Sequence, residues 1–318
     1  MLVGLIDPSH DERQEDEPGR LPKWMHVDEV LATAAAAGPS WGPWPYELLK
    51  AALDNWQERD YLSTSMFSGC ARSTVLERRE DFILSADEMY ASLRGTQIHR
   101  TLEFGARPNS VAEWRFWTTL NIPGIRVPLE MSCSPDIVTW EPNALGDFKT
   151  TENPPDYYPW KTHTFQVQVN AWVVRHAEKW VNAEGEEDDI PFNPREWHPD
   201  HLYLVYLGPK GPKQIEVMKT RETTSPKGAK VKRRMPYIWS DDEVEANLFP
   251  RAKAMAQALA SYPEWPFSDD VAGSMKDDAG YTGFGGPPGW GCPGYPWCTL
   301  PKCLAKRFPN GLKWESPA

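Results

Sequence analysis

The sequence is poor in cysteine, with five in 318 residues and no Cys-x2-Cys pair among them. So few thiols argue against a disulfide framework and leave either metal ligation or no role at all. No apolar run approaches the roughly 20 residues that a membrane-spanning helix needs, so a globular protein outside the membrane is expected. The opening stretch, MLVGLIDPSHDERQEDEPGR, lacks the basic start and long apolar core of a secretory signal, which predicts a cytoplasmic location. Cations are also short: 34 Lys and Arg stand against 45 Asp and Glu, a formal net charge of −11. On charge alone the chain is a poor candidate for a sequence-independent nucleic-acid binder, because such binding rests on neutralising phosphates.

What is present suffices for a full core: 40% of residues are hydrophobic and 12% aromatic, enough for one large domain with additions. Residues 1–45 read as an acidic, Pro-rich N-terminal arm with one short helix near Val27–Ala37, residues 46–262 as the core, and residues 263–318 as a Gly-, Pro- and Trp-rich tail. Apolar spacing predicts helices over Tyr46–Leu62, after Ser65 or Ser68, and from a Ser85 cap to about Gly105. Short β-prone runs follow at Ile125–Met131, Asp136–Trp140 and Leu145–Thr150. A helix over Tyr158–Asn182 comes next, then strands at His201–Leu207 and Gln214–Lys219 joined by Gly208–Gly211, and a last helix over Ser240–Tyr262. This order predicts an α/β fold with a central mixed β-sheet flanked by helices, preceded by an N-terminal helical region.

The chemistry-bearing residues are His99 on a helix, Asp136 at the head of a strand, Asp147 and Lys149 on the next strand, and Gln166 on the following helix. Period-2 alternation puts Asp147 and Lys149 on one face and turns Phe148 to the opposite, core side. Two carboxylates at one sheet edge are what a hard divalent cation requires, and with a lysine beside them they suit phosphodiester hydrolysis. A histidine ligand favours Mn2+ somewhat over Mg2+.

In their order these pieces, Gly95-Thr-Gln-Ile-His99, Ser134-Pro-Asp136-Ile-Val, Gly146-Asp147-Phe-Lys149-Thr-Thr and Gln166, resemble the PD-(D/E)XK nuclease superfamily in its RecB-like branch. The resemblance covers about residues 65–305. It implies a restriction-endonuclease-like core and a metal-dependent DNA exonuclease, with a structure- or sequence-specific endonuclease or a non-catalytic nucleic-acid-binding subunit as alternatives. It further implies that His99, Asp136, Asp147 and the main-chain carbonyl of Phe148 hold Mg2+ or Mn2+, that Lys149 is the catalytic lysine, and that Gln166 steadies the lysine and the DNA. Gln168 offers an alternative register for the helix motif. Glu103, one turn from His99, is either a partner of that histidine or a solvent-facing carboxylate.

Cys133 reads as a small buried hydrophobe. The other four are Cys70 and a tail set, Cys292-x5-Cys298-x4-Cys303, and four thiolates make either a structural Zn2+ site or a 4Fe-4S cluster. One cysteine before the core and three after it resembles the iron-sulfur subgroup of RecB-like nucleases, which includes CRISPR-associated and phage exonucleases. That likeness implies a cluster stapling the tail to the N-terminal helices, although the subgroup's common tail spacing, Cys-x2-Cys-x5-Cys, differs from the one here.

The acidic total hides a basic segment. Pro209–Arg234 carries nine Lys or Arg against Glu216 and Glu222, the footprint of a phosphate-binding surface. Trp290, Tyr295 and Trp297 in the tail either stack on unpaired bases or pack round the cysteines. The expected partner is therefore DNA with single-stranded regions or ends. No helicase motif is present, so unwinding would fall to a helicase or recombination partner on another chain.

Overall fold

The computed structural model describes residues 2–6, 24–37, 46–54, 61–68, 71–84, 86–103, 108–151, 153–224 and 230–262. In chain order they form β1 (Leu2–Ile6), β2 (Trp24–His26), α1 (Val27–Ala36), α2 (Tyr46–Asp54), β3 (Leu62–Ser63), α3 (Thr64–Ser68), α4 (Ala71–Arg79), β4 (Phe82–Leu84) and α5 (Ala86–Glu103). There follow β5 (Ser110–Val111), β6 (Arg115–Leu120), β7 (Leu129–Cys133), β8 (Ile137–Trp140), β9 (Asn143–Thr150), α6 (Lys161–Arg175) and β10 (Lys179–Val181). The chain continues through β11 (His201–Gly208), β12 (Gly211–Glu216), β13 (Met218–Thr224), β14 (Lys230–Pro236) and α7 (Asp241–Ser261). The fold is mixed α/β. No described helix is long and apolar enough to cross a membrane.

These residues divide into two compact units, one drawn from 1–60, 69–97 and 253–318, the other from 61–68 and 98–252. In the first, β1 pairs antiparallel with β2 and parallel with β4. Leu5, Val30, Ala34, Leu49, Ala52, Phe82, Leu84, Met89 and Leu93 share one buried core. The stretch expected to be a loose arm thus contributes a strand and a helix to this core, because Leu5 and Val30 exclude water completely there.

The second unit holds a four-stranded sheet in the order β10-β6-β7-β3, a five-stranded sheet in the order β12-β11-β9-β8-β5, and the separate hairpin β13-β14. In the five-stranded sheet only β11 and β9 run parallel; the other neighbours are antiparallel. On β11 the alternation is plain: Leu202, Leu204 and Tyr206 are buried, while His201, Tyr203 and Val205 are half-buried. Helix α6 is buried on every side from Val167 to Val174, its polar Gln168 and Asn170 included, as befits a helix enclosed by protein.

The outcome differs from the sequence expectation elsewhere too. Leu62, expected to close the helix from Tyr46, instead pairs with Met131 as part of β3. The run expected to be a strand from Ile125 begins only at Leu129, because a Pro123-Gly124 turn, with Gly124 at φ 85, and then Pro128, which lacks an N–H, precede it. The helix expected to reach Asn182 stops at Arg175, because Trp180 and Val181 pair with Phe116 and Arg115 of β6 as a strand. Gln214–Lys219 is two strands, broken at Val217, whose N–H donates to the Leu202 carbonyl. The last helix forms as expected, opened by a capping box. The Glu243 N–H donates to Ser240 Oγ at 3.2 Å, and the Ser240 N–H donates to Glu243 Oε2 at 3.0 Å.

Candidate active site

The register of β8 against β9 builds the site. Ile137 lies opposite Gly146, so Asp136, one residue before β8, comes beside Asp147. A Cβ at position 146 would meet Ile137 Cγ2 at 2.8 Å, so glycine is what lets the two carboxylate-bearing strands approach this closely. Asp136 and Asp147 are 3% and 2% exposed. Asp136 Oδ2 accepts the Phe148 backbone N–H, which ties the first carboxylate to the residue between Asp147 and Lys149.

Its other oxygen, Oδ1, lies 2.8 Å from His99 Nδ1, and the same nitrogen lies 3.0 Å from Glu113 Oε1. His99, Glu113 and Asp136 therefore form a cluster whose ligand atoms all lie within 4.8 Å of one another. Burial pulls the His99 imidazole down, but hydrogen bonds and charge from Asp136 and Glu113 outweigh it and push it up to about 10. Burial likewise pushes the Asp136 carboxyl up, against the pull of His99 and Lys149.

On the other side of Asp136, Lys149 Nζ lies 2.7 Å from Asp147 Oδ2 and donates to Gln166 Oε1 at 3.1 Å. The contact with Asp147 is an ion pair off the hydrogen-bond direction, and Asp147 Oδ2 is a buried oxygen with no hydrogen bond. Burial pushes the Asp147 carboxyl up to about 6, with Lys149 pulling it down and Asp136 pushing it up. Burial also disfavours the Lys149 ammonium, but the charges of Asp147 and Asp136 prevail and raise it.

Asp147 and Lys149 share one face, as alternation requires, but that face is the more enclosed one. They pair in register with Leu204 and Tyr206 of β11, both fully buried, and Gln166 of α6 reaches the same face. Phe148, expected on the core side, is half-buried. The two candidate glutamines are separated by what they touch. Gln168 donates to the Tyr237 carbonyl and accepts the Trp239 N–H, which commits it to structure, whereas Gln166 holds the lysine.

Glu113 is a member of the His99 cluster that sequence spacing did not single out. It precedes β6 with φ 58, a left-handed conformation costly for a residue with a Cβ, and Ser134 Oγ donates to its carbonyl at 3.3 Å. Nothing local in the sequence announces it, because its place depends on a long-range fold. The side chain of Glu103 lies outside the described residues. So do Cys70, Cys292, Cys298 and Cys303 and the aromatic residues of the tail. Cys133 is buried, its Sγ 3.7 Å from the Asn170 carbonyl, and burial raises its thiol well above the ordinary range.

A third group adjoins the lysine. Tyr206 accepts the Trp160 N–H at 3.0 Å and lies 3.2 Å from His163 Nδ1. Burial, with the charge of Lys149, pulls the His163 imidazole down to about 3, which favours its neutral form beside the Tyr206 hydroxyl.

No protein-family model matches the sequence, and no curated protein matches it. Among solved structures the chain is similar to one described as the crystal structure of SSO0001. The identity is 15% and the TM-score 0.41, over 74% of this chain and 88% of that one. That likeness is too distant to carry fold or function across.

Proposed function

We propose that this chain is a metal-dependent deoxyribonuclease with a restriction-endonuclease-like core, an exonuclease of phage or prokaryotic DNA recombination, repair or processing. The carrying observation is the junction at Asp136, which touches His99 through Oδ1 and the backbone between Asp147 and Lys149 through Oδ2. Cation ligands and a half-buried ammonium are thereby brought to one place, the requirement for attack on a charged phosphodiester.

The donors fit a hard divalent cation. Glu113 and Asp136 offer carboxylate oxygens and His99 one imidazole nitrogen within 4.8 Å of each other, and Asp147 Oδ2 adds a buried oxygen without a hydrogen bond. His99, Glu113, Asp136 and Asp147 would hold Mg2+ or Mn2+, with the Phe148 carbonyl completing the set as the resemblance implies. When bound, the cation supplies Lewis acidity toward the phosphoryl group and lowers the pKa of water.

The chain's own residues do the rest. His99 gives up its Nδ1 proton before its lone pair can serve as a ligand. Lys149 meets the charge that develops on the phosphate. Asp147 and Gln166 hold its Nζ from two sides, so little reorganisation is needed at the moment of reaction. The basic segment 209–234 supplies phosphate contacts, and Cys70, Cys292, Cys298 and Cys303 are the proposed ligands of a 4Fe-4S cluster, or of structural Zn2+, outside the reaction. A cytoplasmic location and a helicase or recombination partner belong to the same proposal.

End-labelled linear DNA incubated with the purified protein and Mg2+ or Mn2+ tests this: cleavage abolished by EDTA is expected. Circular single-stranded DNA left intact supports an exonuclease, and its cleavage supports an endonuclease of the same superfamily. No cleavage of any DNA leaves the non-catalytic binding subunit as the better account.

A further inference from the structure

The β13–β14 hairpin stands apart from the three larger sheets as a two-stranded ladder of its own. Its described residues carry six cations, Lys219, Arg221, Lys230, Lys232, Arg233 and Arg234, against the single acid Glu222. Antiparallel partners share a face, so Arg221 stands directly opposite Arg233, with Lys219 opposite Met235 two positions along. A like-charged pair in that position opposes folding of the free hairpin. The Arg233 side chain has no hydrogen bond or ion pair among the described residues. Both features are accounted for when a polyanion lies along that face.

The hairpin's other face is anchored to the connection from β9 to α6. Arg234 lies 4.7 Å from the Tyr158 ring centre, and its Nη2 donates to the Tyr157 carbonyl at 3.5 Å. Both tyrosines belong to the connection from β9 to α6, that is, between Lys149 and Gln166. Lys213 of β12 grips the same connection through Asp156 at 3.1 Å. Tyr157 and Tyr158 are nonetheless 75% and 61% exposed, two adjacent aromatic side chains in water on a segment held by cations.

We propose that the β13–β14 hairpin, with Tyr157 and Tyr158, forms a holding site for single-stranded DNA, the strand crossing the hairpin from the Arg221–Arg233 face to the two tyrosines on the other. This rests on the nuclease reading for its choice of DNA. The cations take the phosphates and the tyrosines stack on bases, the combination used where strands are held without sequence preference. Stacking needs unpaired bases, so the site selects single strands over duplex.

The test is anisotropy of a fluorescein-labelled oligothymidylate with the full-length protein in EDTA, across a salt series. Arg221→Gln with Arg233→Gln should weaken binding and flatten the dependence of log Kd on log salt by about 1.4, the loss of two single-strand phosphate contacts. Tyr157→Ala with Tyr158→Ala should weaken binding by about tenfold or more at every salt concentration with the slope kept. Arg221→Lys with Arg233→Lys keeps the charge, and its retained slope guards against misfolding as the cause. Wild-type affinity and slope in both loss variants would overturn the proposal. So would duplex binding as tight as single-strand binding, or tighter binding of oligouridylate. Because the assay needs no cleavage, an inactive protein would defeat the nuclease reading and leave this result standing. An active nuclease indifferent to both variants would defeat this proposal alone.

Discussion

The backbone N–H of Phe148 donates to Asp136 Oδ2. That bond makes the two halves of the candidate site one object: whatever moves Asp136 moves the backbone between Asp147 and Lys149. It also leaves Asp136 Oδ1 for His99, at 2.8 Å, so one buried carboxylate orients both the cluster around His99 and the strand that presents the lysine.

The cluster's affinity for a cation is testable without activity. Saturating Mn2+ should raise the melting temperature of the wild-type protein, by about 2.7 kcal/mol of stabilisation at a hundredfold excess over Kd. Asp136→Asn and Glu113→Gln should each reduce the rise and His99→Ala should abolish it, read by differential scanning fluorimetry. An equal rise in all three would remove these residues from the ligand set.

The Lys149–Asp147 pair should be coupled in stability. Lys149→Met leaves a buried carboxylate without its counter-charge and should cost about 3 kcal/mol in urea unfolding at neutral pH. Asp147→Asn combined with Lys149→Met removes both charges and should recover most of that loss. Additive losses would show that the ion pair is not what holds the two side chains.

Gly146 should tolerate no side chain. Alanine there puts a Cβ 2.8 Å from Ile137 Cγ2, and isoleucine, branched at Cβ, has little rotamer freedom to yield. Gly146→Ala should lower stability by about 1–3 kcal/mol and weaken Mn2+ binding as well, because Asp136 is the neighbour of Ile137. Unchanged denaturation midpoint and Mn2+ binding would contradict the register argument.

His163 should make the fold acid-sensitive. Its imidazole is pulled from 6.5 down to about 3 in the folded chain by burial and Lys149, with the Tyr206 hydroxyl of β11 3.2 Å from Nδ1. Between those values the unfolded chain binds the extra proton, so this contribution to stability is present above pH 6.5 and is lost as the pH falls toward 3. His163→Asn, which keeps an acceptor for Tyr206, should flatten the wild-type decline in urea midpoint over that window. Parallel profiles for the two proteins would refute the assignment.

Local pattern carried further than tertiary placement in this chain. The Asp-x-Lys alternation put Asp147 and Lys149 on one face, and the Ser240 capping box with its acidic first turn marked α7, because both depend on neighbours within a few residues. The orientation of that face did not follow. Asp147 lies on the enclosed side because α6 reaches that face of the sheet, where Gln166 meets Lys149, which no single-strand pattern records. Trp180 and Val181 look helical as a continuation of α6 until Phe116 and Arg115 pair with them. Gln166 and Gln168 are equivalent by spacing and are distinguished only by partners, Lys149 for one and the 237–239 backbone for the other. Glu113 was invisible for the same reason: its carboxylate meets His99 only once β6, β7 and α5 are in place.

The account turns on whether Asp147 and Lys149 act on DNA. Wild-type protein, Asp147→Asn and Lys149→Met, each shown folded by circular dichroism, should be incubated with end-labelled linear DNA and Mn2+ and the products resolved on a denaturing gel. Cleavage by the wild type and at least a hundredfold slower cleavage by both variants, as expected for lost transition-state electrostatics, is the outcome predicted. Wild-type rates in both variants, or an intact substrate with all three proteins, would contradict it.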